Sequence, residues 1–288
     1  MTIEILFSSY ALLIGLIVGS FLNVIILRLP IMLKKEWKQN CQEVLNEIAE
    51  EEANIPLPEG RFNIAYPRSH CPKCKKQVSA LENIPVLSYL FLKGQCSGCH
   101  TKISPRYPIV ELITGLLTGY CIYTLGANVQ GYLAVVLSWA LVVLTLIDAD
   151  THYLPDDITL PLLWIGLLAN TFGVFVDLQS AVIGAAAGYL SLWSVYWVFK
   201  FLTKKEGMGY GDFKLLAALG AWMGWQMLPF IIIASAFVGA AIGIAGIIFY
   251  GKDKDMKIPY GPYLATAGWI AFFWGNDITQ AYLQYMGS

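Results

Sequence analysis

Polar residues in this chain are gathered into a few blocks, and apolar residues fill the stretches between them. Apolar runs close to the roughly 20 residues that cross a bilayer occupy 6–29, 108–125, 132–147, 158–176, 181–201, 215–227, 229–250 and 260–274. The pattern predicts an all-α polytopic membrane protein with about eight transmembrane helices. Runs 132–147 and 215–227 are short and need flanking residues to complete a span. The block after the first run has a different period. Leu33, Trp37, Cys41, Val44, Leu45 and Ile48 recur at helical spacing with charges on the other faces, which predicts an amphipathic helix outside the bilayer. The expected organisation is a first transmembrane helix over 1–29, a cytosolic insert over 30–107, and a membrane core over 108–288 with about seven further helices.

Composition supports this reading. Of 288 residues, 57% are hydrophobic and 14% charged, against about a quarter charged in soluble domains. The formal net charge of −1 gives no indication of nucleic acid as a partner. Placement of charge is more telling than its sum. The first run follows Glu4 and precedes Arg28, Lys34, Lys35 and Lys38, the reverse of a cleaved signal peptide, so it reads as a retained span whose C-terminal end is cytoplasmic. If the chain then alternates, 30–107, 148–157, 202–214 and 251–259 are cytoplasmic. All 19 Lys and Arg lie in those segments or within about two residues of them, while the outside loops "GANVQG" and "VDLQS" have none. The N-terminus is then outside and the insert inside. The acidic stretch 50–52 reads as a solvated face and 53–62 as a linker. Glycines four apart, at Gly115 and Gly119, Gly184 and Gly188, and Gly239 and Gly243, are suited to close helix packing.

Within the insert, "CPKC" and "CSGC" place Cys71, Cys74, Cys96 and Cys99 in two knuckles separated by 21 residues. A two-residue gap lets both thiolates of a knuckle reach one ion, and two knuckles complete a tetrahedral four-sulfur site. Disulfides are disfavoured in a reducing compartment, which makes zinc the expected ligand. Four sulfurs leave no open position, so the expected role is structural, supplying folding free energy to an insert with little core. His70 and His100 flank the set without being needed by it. Cys41 reads as a helix-face residue and Cys121 as a membrane-packing one.

Acids at span boundaries are costly enough to need a reason. Glu111, Asp150, Asp156 and Asp157 read as interfacial polar residues, the last two as caps for the helix that begins near Ile158. Asp148 and Asp212 differ, because the topology brings them to the same membrane face although 64 residues separate them. Two carboxylates sharing a poorly hydrated place cannot comfortably both ionise; one keeps a proton while the other can take one from water, the aspartic-protease arrangement. Asp148 ends a helix and Asp212 begins one, which suggests that Asp148 holds the shared proton. Gly207, Gly209 and Gly211 precede Asp212; glycine permits close approach and unusual dihedrals, as holding an extended peptide against backbone requires.

These stretches together resemble the bacterial type IV prepilin peptidases, membrane aspartic proteases of the "GxGD" kind. The similarity runs almost the whole chain: "GLIVGSFLNVIILRLP", "CPKC" with "ENIPVLSYLFLKGQCSGC", "RYPIVELITG", "LIDADTHYLPD" and "GMGYGDFKLLAALGAW". The resemblance implies a multi-pass protein of the bacterial inner membrane. It would cleave prepilins and pilin-like secretion subunits (pseudopilins) on the cytoplasmic side, after a glycine ending a short basic leader. Methylation of the new N-terminal amine with S-adenosylmethionine is implied as well. Asp148 and Asp212 match the family's catalytic aspartates, and Cys71, Cys74, Cys96 and Cys99 its metal-binding tetrad. The residues that hold the methyl donor are not legible; the resemblance points to the cytosolic insert, where Gly94 is a candidate whose plainer reading is a turn glycine before a knuckle. Two other classes compete: a proton-coupled transporter, for which the acids should lie nearer the midplane, and a structural partner docking through its zinc module, which leaves the aspartates unexplained.

Overall fold

The computed structural model of the chain describes residues 2–48, 63–205, 207–250 and 259–287, among which the regular elements are helices and the only β contacts are two isolated bridges. The acidic stretch 50–52 and the linker 53–62 lie outside the described residues. The chain divides into two compact units, Met1–Ala127 and Asn128–Ser288.

The first unit contains α1 (Thr2–Ile48), a 3-10 turn at Leu81–Asn83, the short α2 (Leu87–Phe91) and α3 (Arg106–Leu125). The sequence predicts a membrane helix followed by a separate amphipathic one; the structure has a single helix that passes through Pro30. Proline removes one backbone bond from a helix; Ile26 and Leu29 are buried just before it, and the residues described beyond it are half-buried or exposed. Glycines set the contact between α1 and α3. A Cβ at Gly19 would lie 2.7 Å from the Glu111 Cα, and one at Gly115 would lie 2.7 Å from Leu16 Cγ. The Asn23 amide on α1 donates to the Tyr107 carbonyl at 3.2 Å, fixing the entry of α3. Thr114 and Thr118, both buried on α3, turn their hydroxyls back to carbonyls one turn earlier at 2.8 and 2.6 Å, so each hydroxyl has a partner within its own helix.

The second unit runs α4 (Val129–Thr151), α5 (Asp156–Thr171), α6 (Leu178–Thr203), α7 (Tyr210–Met223), α8 (Leu228–Tyr250) and α9 (Gly261–Gly287). Two of its helices start on side-chain caps. Asn128 Oδ1 accepts from Gly131 N at 3.0 Å and Asp177 Oδ2 accepts from Ser180 N at 2.8 Å, satisfying otherwise orphaned donors. At the centre is α7, buried continuously from Leu215 to Met223 and packed against α5, α6 and α9. Gly220 of α7 and Gly184 of α6 bring their backbones together with no room for a Cβ on either. Trp222 donates Nε1 to the Leu162 carbonyl at 2.8 Å. The buried Asn170 donates to the Ala221 carbonyl at 2.8 Å and accepts from Phe175 N and Val176 N at 3.0 and 3.1 Å, which ties the α5–α6 loop to the end of α7.

Each of the eight predicted apolar runs centres on one helix, α1 or α3 to α9, although 172–176 lies past the end of α5 and 224–227 past the end of α7, where Trp225–Met227 forms a 3-10 turn. Among the described residues, five helical stretches are long and apolar enough to cross a membrane: Ile5–Gln39, Arg106–Leu125, Val129–Thr151, Leu178–Thr203 and Trp225–Gly246. The protein is thus a multi-pass membrane protein. The 14 residues of α7 extend only about 21 Å at 1.5 Å per residue, and its neighbours enclose it.

Candidate active site and metal centre

The four knuckle cysteines come together in the first unit. Their sulfurs all lie within 4.8 Å of one another, and among the described residues they form the only such group able to hold a metal. The Sγ atoms of Cys71 and Cys99 are 3.7 Å apart and those of Cys74 and Cys96 are 3.8 Å apart. Zinc with sulfur at about 2.3 Å in a tetrahedron separates its ligands by roughly 3.8 Å, so the set fits that ion. The two knuckles have the same construction. Lys75 N donates to the Cys71 carbonyl and His100 N to the Cys96 carbonyl, both at 2.9 Å, with Lys75 and His100 both left-handed. Cys71 N donates to the Lys76 carbonyl and Cys96 N to the Thr101 carbonyl, also at 2.9 Å. One isolated bridge closes each loop, His70 with Gln77 and Gln95 with Lys102. His70 and His100 stand outside the sulfur cluster, as expected. Cys121 is fully buried on α3 and Cys41 is exposed on α1.

Polar contacts join and charge the knuckles. Glu82 accepts from the Ser97 hydroxyl, from Lys76 Nζ at 3.3 Å and from Ser79 N at 2.8 Å. The Ser97 hydroxyl foremost, then Ser79, pushes the Glu82 carboxyl down to about 2. The Thr101 hydroxyl, 3.2 Å from Cys99 Sγ, brings that thiol down to about 6 and so favours thiolate at neutral pH. Gly94 is the turn glycine of its plainer reading. It has φ +68°, accepts from Ile103 N at 2.8 Å, and a Cβ there would meet the Tyr89 hydroxyl at 2.9 Å.

Asp148 and Asp212 both belong to the second unit, and they are the only buried carboxylates among the described residues, 5% and 7% exposed. They are near enough to interact electrostatically. Asp148 lies in the last turn of α4, where the left-handed His152 closes the helix by donating its N–H to the Asp148 carbonyl at 2.9 Å. Its carboxylate Oδ2 accepts from Gly261 N, the first residue of α9, at 2.9 Å. A Cβ on Gly261 would lie 2.7 Å from that oxygen. Asp212 lies in the first turn of α7. Asp148 at the end of α4 and Asp212 at the start of α7 hold the helix-end positions read from the sequence, and Asp148 in addition meets the N-terminus of α9 through Gly261 N.

The glycine run contributes space rather than unusual dihedrals. Gly209 has φ −85°, and the positive-φ glycines of the described residues, Gly94, Gly126, Gly173 and Gly224, lie elsewhere. Gly207 packs on the Phe199 ring and Gly211 on Leu154, where a Cβ would come within 2.8 and 2.7 Å respectively. Only Gly209 is open: the nearest atom to a Cβ there is the Asp212 Oδ2, at 3.8 Å.

Asp156 does not cap α5 with its side chain; it receives Lys214 Nζ on both oxygens, at 2.7 and 2.6 Å. The ion pair links the α4–α5 turn to the helix carrying Asp212. The only signal for it in the sequence is a lysine two positions after that aspartate. Sequence reading also missed the ordering of Tyr260, whose hydroxyl lies 2.6 Å from Ser235 Oγ, next to the Gly261 that touches Asp148. Glu111 does more than sit at an interface: its Oε2 accepts from Val86 N at 2.7 Å.

Comparison with known proteins accounts for both units. Residues 13–125 match the family model described as Bacterial Peptidase A24 N-terminal domain, and residues 135–244 match that of the Type IV leader peptidase family. The chain is 54% identical over 280 residues to the prepilin leader peptidase/N-methyltransferase of Aeromonas salmonicida, covering 96% of this chain and 94% of the relative. For the proteins of the same name from Pseudomonas aeruginosa and Legionella pneumophila the identities are 50% over 276 residues and 46% over 273, with 96% and 95% of this chain and 93% of each relative covered. No solved structure matches the chain. With identity at this level from end to end, the chain belongs to the type IV leader peptidase family, among its prepilin leader peptidase/N-methyltransferases.

Proposed function

We propose that Asp148 and Asp212 are the catalytic pair of a membrane aspartic endopeptidase that removes the leader from prepilins and pseudopilins. The observation that carries this reading is their burial and mutual interaction, while the other acids among the described residues of the unit are exposed or, like Asp156, ion-paired. In the reaction, the ionised member of the pair takes a proton from water as its oxygen attacks the scissile carbonyl carbon. The protonated member donates to the carbonyl oxygen and then to the departing amine. Gly209 leaves room for an extended substrate backbone beside Asp212.

Cleavage frees an amine, which the same protein methylates. S-adenosylmethionine supplies the methyl group from its sulfonium, leaving a thioether as the amine loses a proton. Cys71, Cys74, Cys96 and Cys99 hold a structural zinc, a role supported by sulfur spacings suited to a closed tetrahedral site. The distribution of Lys and Arg supports a protein of the bacterial inner membrane with about eight spans, its N-terminus outside and the cysteine insert inside. The transporter reading finds no support in the relatives. Asp148→Asn and Asp212→Asn should each lower prepilin cleavage by roughly 10²–10⁴-fold, the scale of a lost proton-transfer group. Zinc content should be unchanged, and methylation should vanish with cleavage because no new amine appears. Undiminished cleavage by either variant refutes the assignment.

A further inference from the structure

The two buried acids come from different helices, and one short segment touches the surroundings of both. Asp148 ends α4; from there the chain runs through His152, whose N–H closes the helix on the Asp148 carbonyl at 2.9 Å, and through Leu154 to Asp156 at the start of α5. Leu154 is buried against Gly211, the neighbour of Asp212, where an added Cβ would lie 2.7 Å from the Leu154 Cβ. Asp156 receives Lys214 Nζ on both carboxylate oxygens, at 2.7 and 2.6 Å. Lys214 stands two positions after Asp212. The first turn of α7 is therefore fastened, before and after Asp212, to the segment that leaves Asp148. We propose that Lys214 and Asp156 are positioning residues of the peptidase, their ion pair a strut that sets the spacing of Asp148 and Asp212; the proposal rests on the assignment of those two acids as the catalytic pair.

Magnitudes separate this role from one in folding. The side chains of Lys214 and Asp156 are 27% and 47% exposed, and an ion pair so open to water contributes little to stability. The helix has other anchors: α7 is buried continuously from Leu215 to Met223, and the Phe213 ring packs on Tyr189 and Tyr196 of α6. Those aromatic contacts hold α7 to α6, which carries neither acid. At the N-cap of α7, Gly209 supplies no side chain to tie down the first turn, and glycine leaves the backbone there free to shift. Short, charge-assisted bonds from Lys214 to both oxygens of Asp156 restrict that shift. Misplacing a reacting group by about 1 Å costs on the order of 100-fold in rate. A contact that matters little to the folded fraction thus matters a great deal to turnover.

The test is steady-state cleavage of a prepilin by the full-length protein in detergent. Lys214→Met and Asp156→Asn should each lower kcat by about tenfold, as for a shift of a fraction of 1 Å, with KM within about twofold of wild type and Tm nearly unchanged. The two variants change the local charge in opposite senses. A loss in both therefore comes from the broken tie, whereas opposite effects on kcat would assign the influence to charge and overturn the proposal. Combining the two should do no more harm than either alone, because both break one contact; losses that multiply to about 100-fold refute the coupling. Lys214→Arg, which keeps a cationic donor for the carboxylate, should retain more activity than Lys214→Met. A fall in kcat matched by a large fall in Tm would make the pair a folding element only, and wild-type kcat in the single variants would remove it from the reaction. If Asp148→Asn and Asp212→Asn are inactive while the strut variants are not, this inference alone falls; if those two also cleave normally, the catalytic pair itself fails.

Discussion

At the scale of single residues, the most consequential contact spans 113 positions. Gly261 N donates to Asp148 Oδ2, and a methyl group at Gly261 would displace that oxygen. Gly261→Ala should therefore impair prepilin cleavage by about tenfold or more, on the scale of a misplaced catalytic group. Binding of S-adenosylmethionine should stay as it was, and the two assays on one preparation separate these outcomes. Glu82 gives a pH prediction. Its folded-state carboxyl, near 2, lies below the ordinary 4.5, so the stability it contributes is complete above the ordinary value and is lost only as pH falls through about 2. Carbon-detected NMR should find Glu82 still ionised at pH 4; an ordinary midpoint would contradict the Ser97 contact. The sequence made the four cysteines legible because knuckle ligands are neighbours with fixed spacing. Gly261 was illegible because a backbone donor leaves no mark in side-chain pattern, and its partner is a hundred residues away.

Among the elements, α7 explains most. It is short, continuously buried, and pressed against α6 where Gly184 and Gly220 meet backbone to backbone. Gly220→Ala should cost about 1–3 kcal/mol through overpacking, seen as a lower Tm. Gly209→Ala, whose Cβ has open space, should leave Tm unchanged and reduce cleavage by narrowing the approach to Asp212. If Gly209→Ala cleaved normally, the substrate would not pass there. Apolar runs located the eight longer helices of the described residues, since such a run is a local signal. The division of α1 after Leu29 follows the change from an apolar run to charged, amphipathic spacing, a change of surroundings that a single continuous helix can carry. The glycine pairs at 115 and 119 and at 184 and 188 were legible as close-packing sites, though their partners on α1 and α7 were not.

For the whole molecule, the open question is orientation, and the charges argue it in advance of any labelling. Ala127→Cys lies in a loop with no Lys or Arg nearby, whereas Cys41 is exposed on the basic stretch of α1. A membrane-impermeant maleimide should modify Ala127→Cys in intact spheroplasts and reach Cys41 only after the membrane is opened; the reverse order would invert the topology.

The likeness of the two knuckles has a consequence for biogenesis. Neither contributes more than two sulfurs, so neither can complete a coordination shell by itself. As the chain leaves the ribosome, Cys71 and Cys74 emerge first and wait for Cys96 and Cys99. An ion held by all four would be a keystone set last: until the second loop arrives there would be no arch, and a defect in one loop would disable its twin as thoroughly as itself.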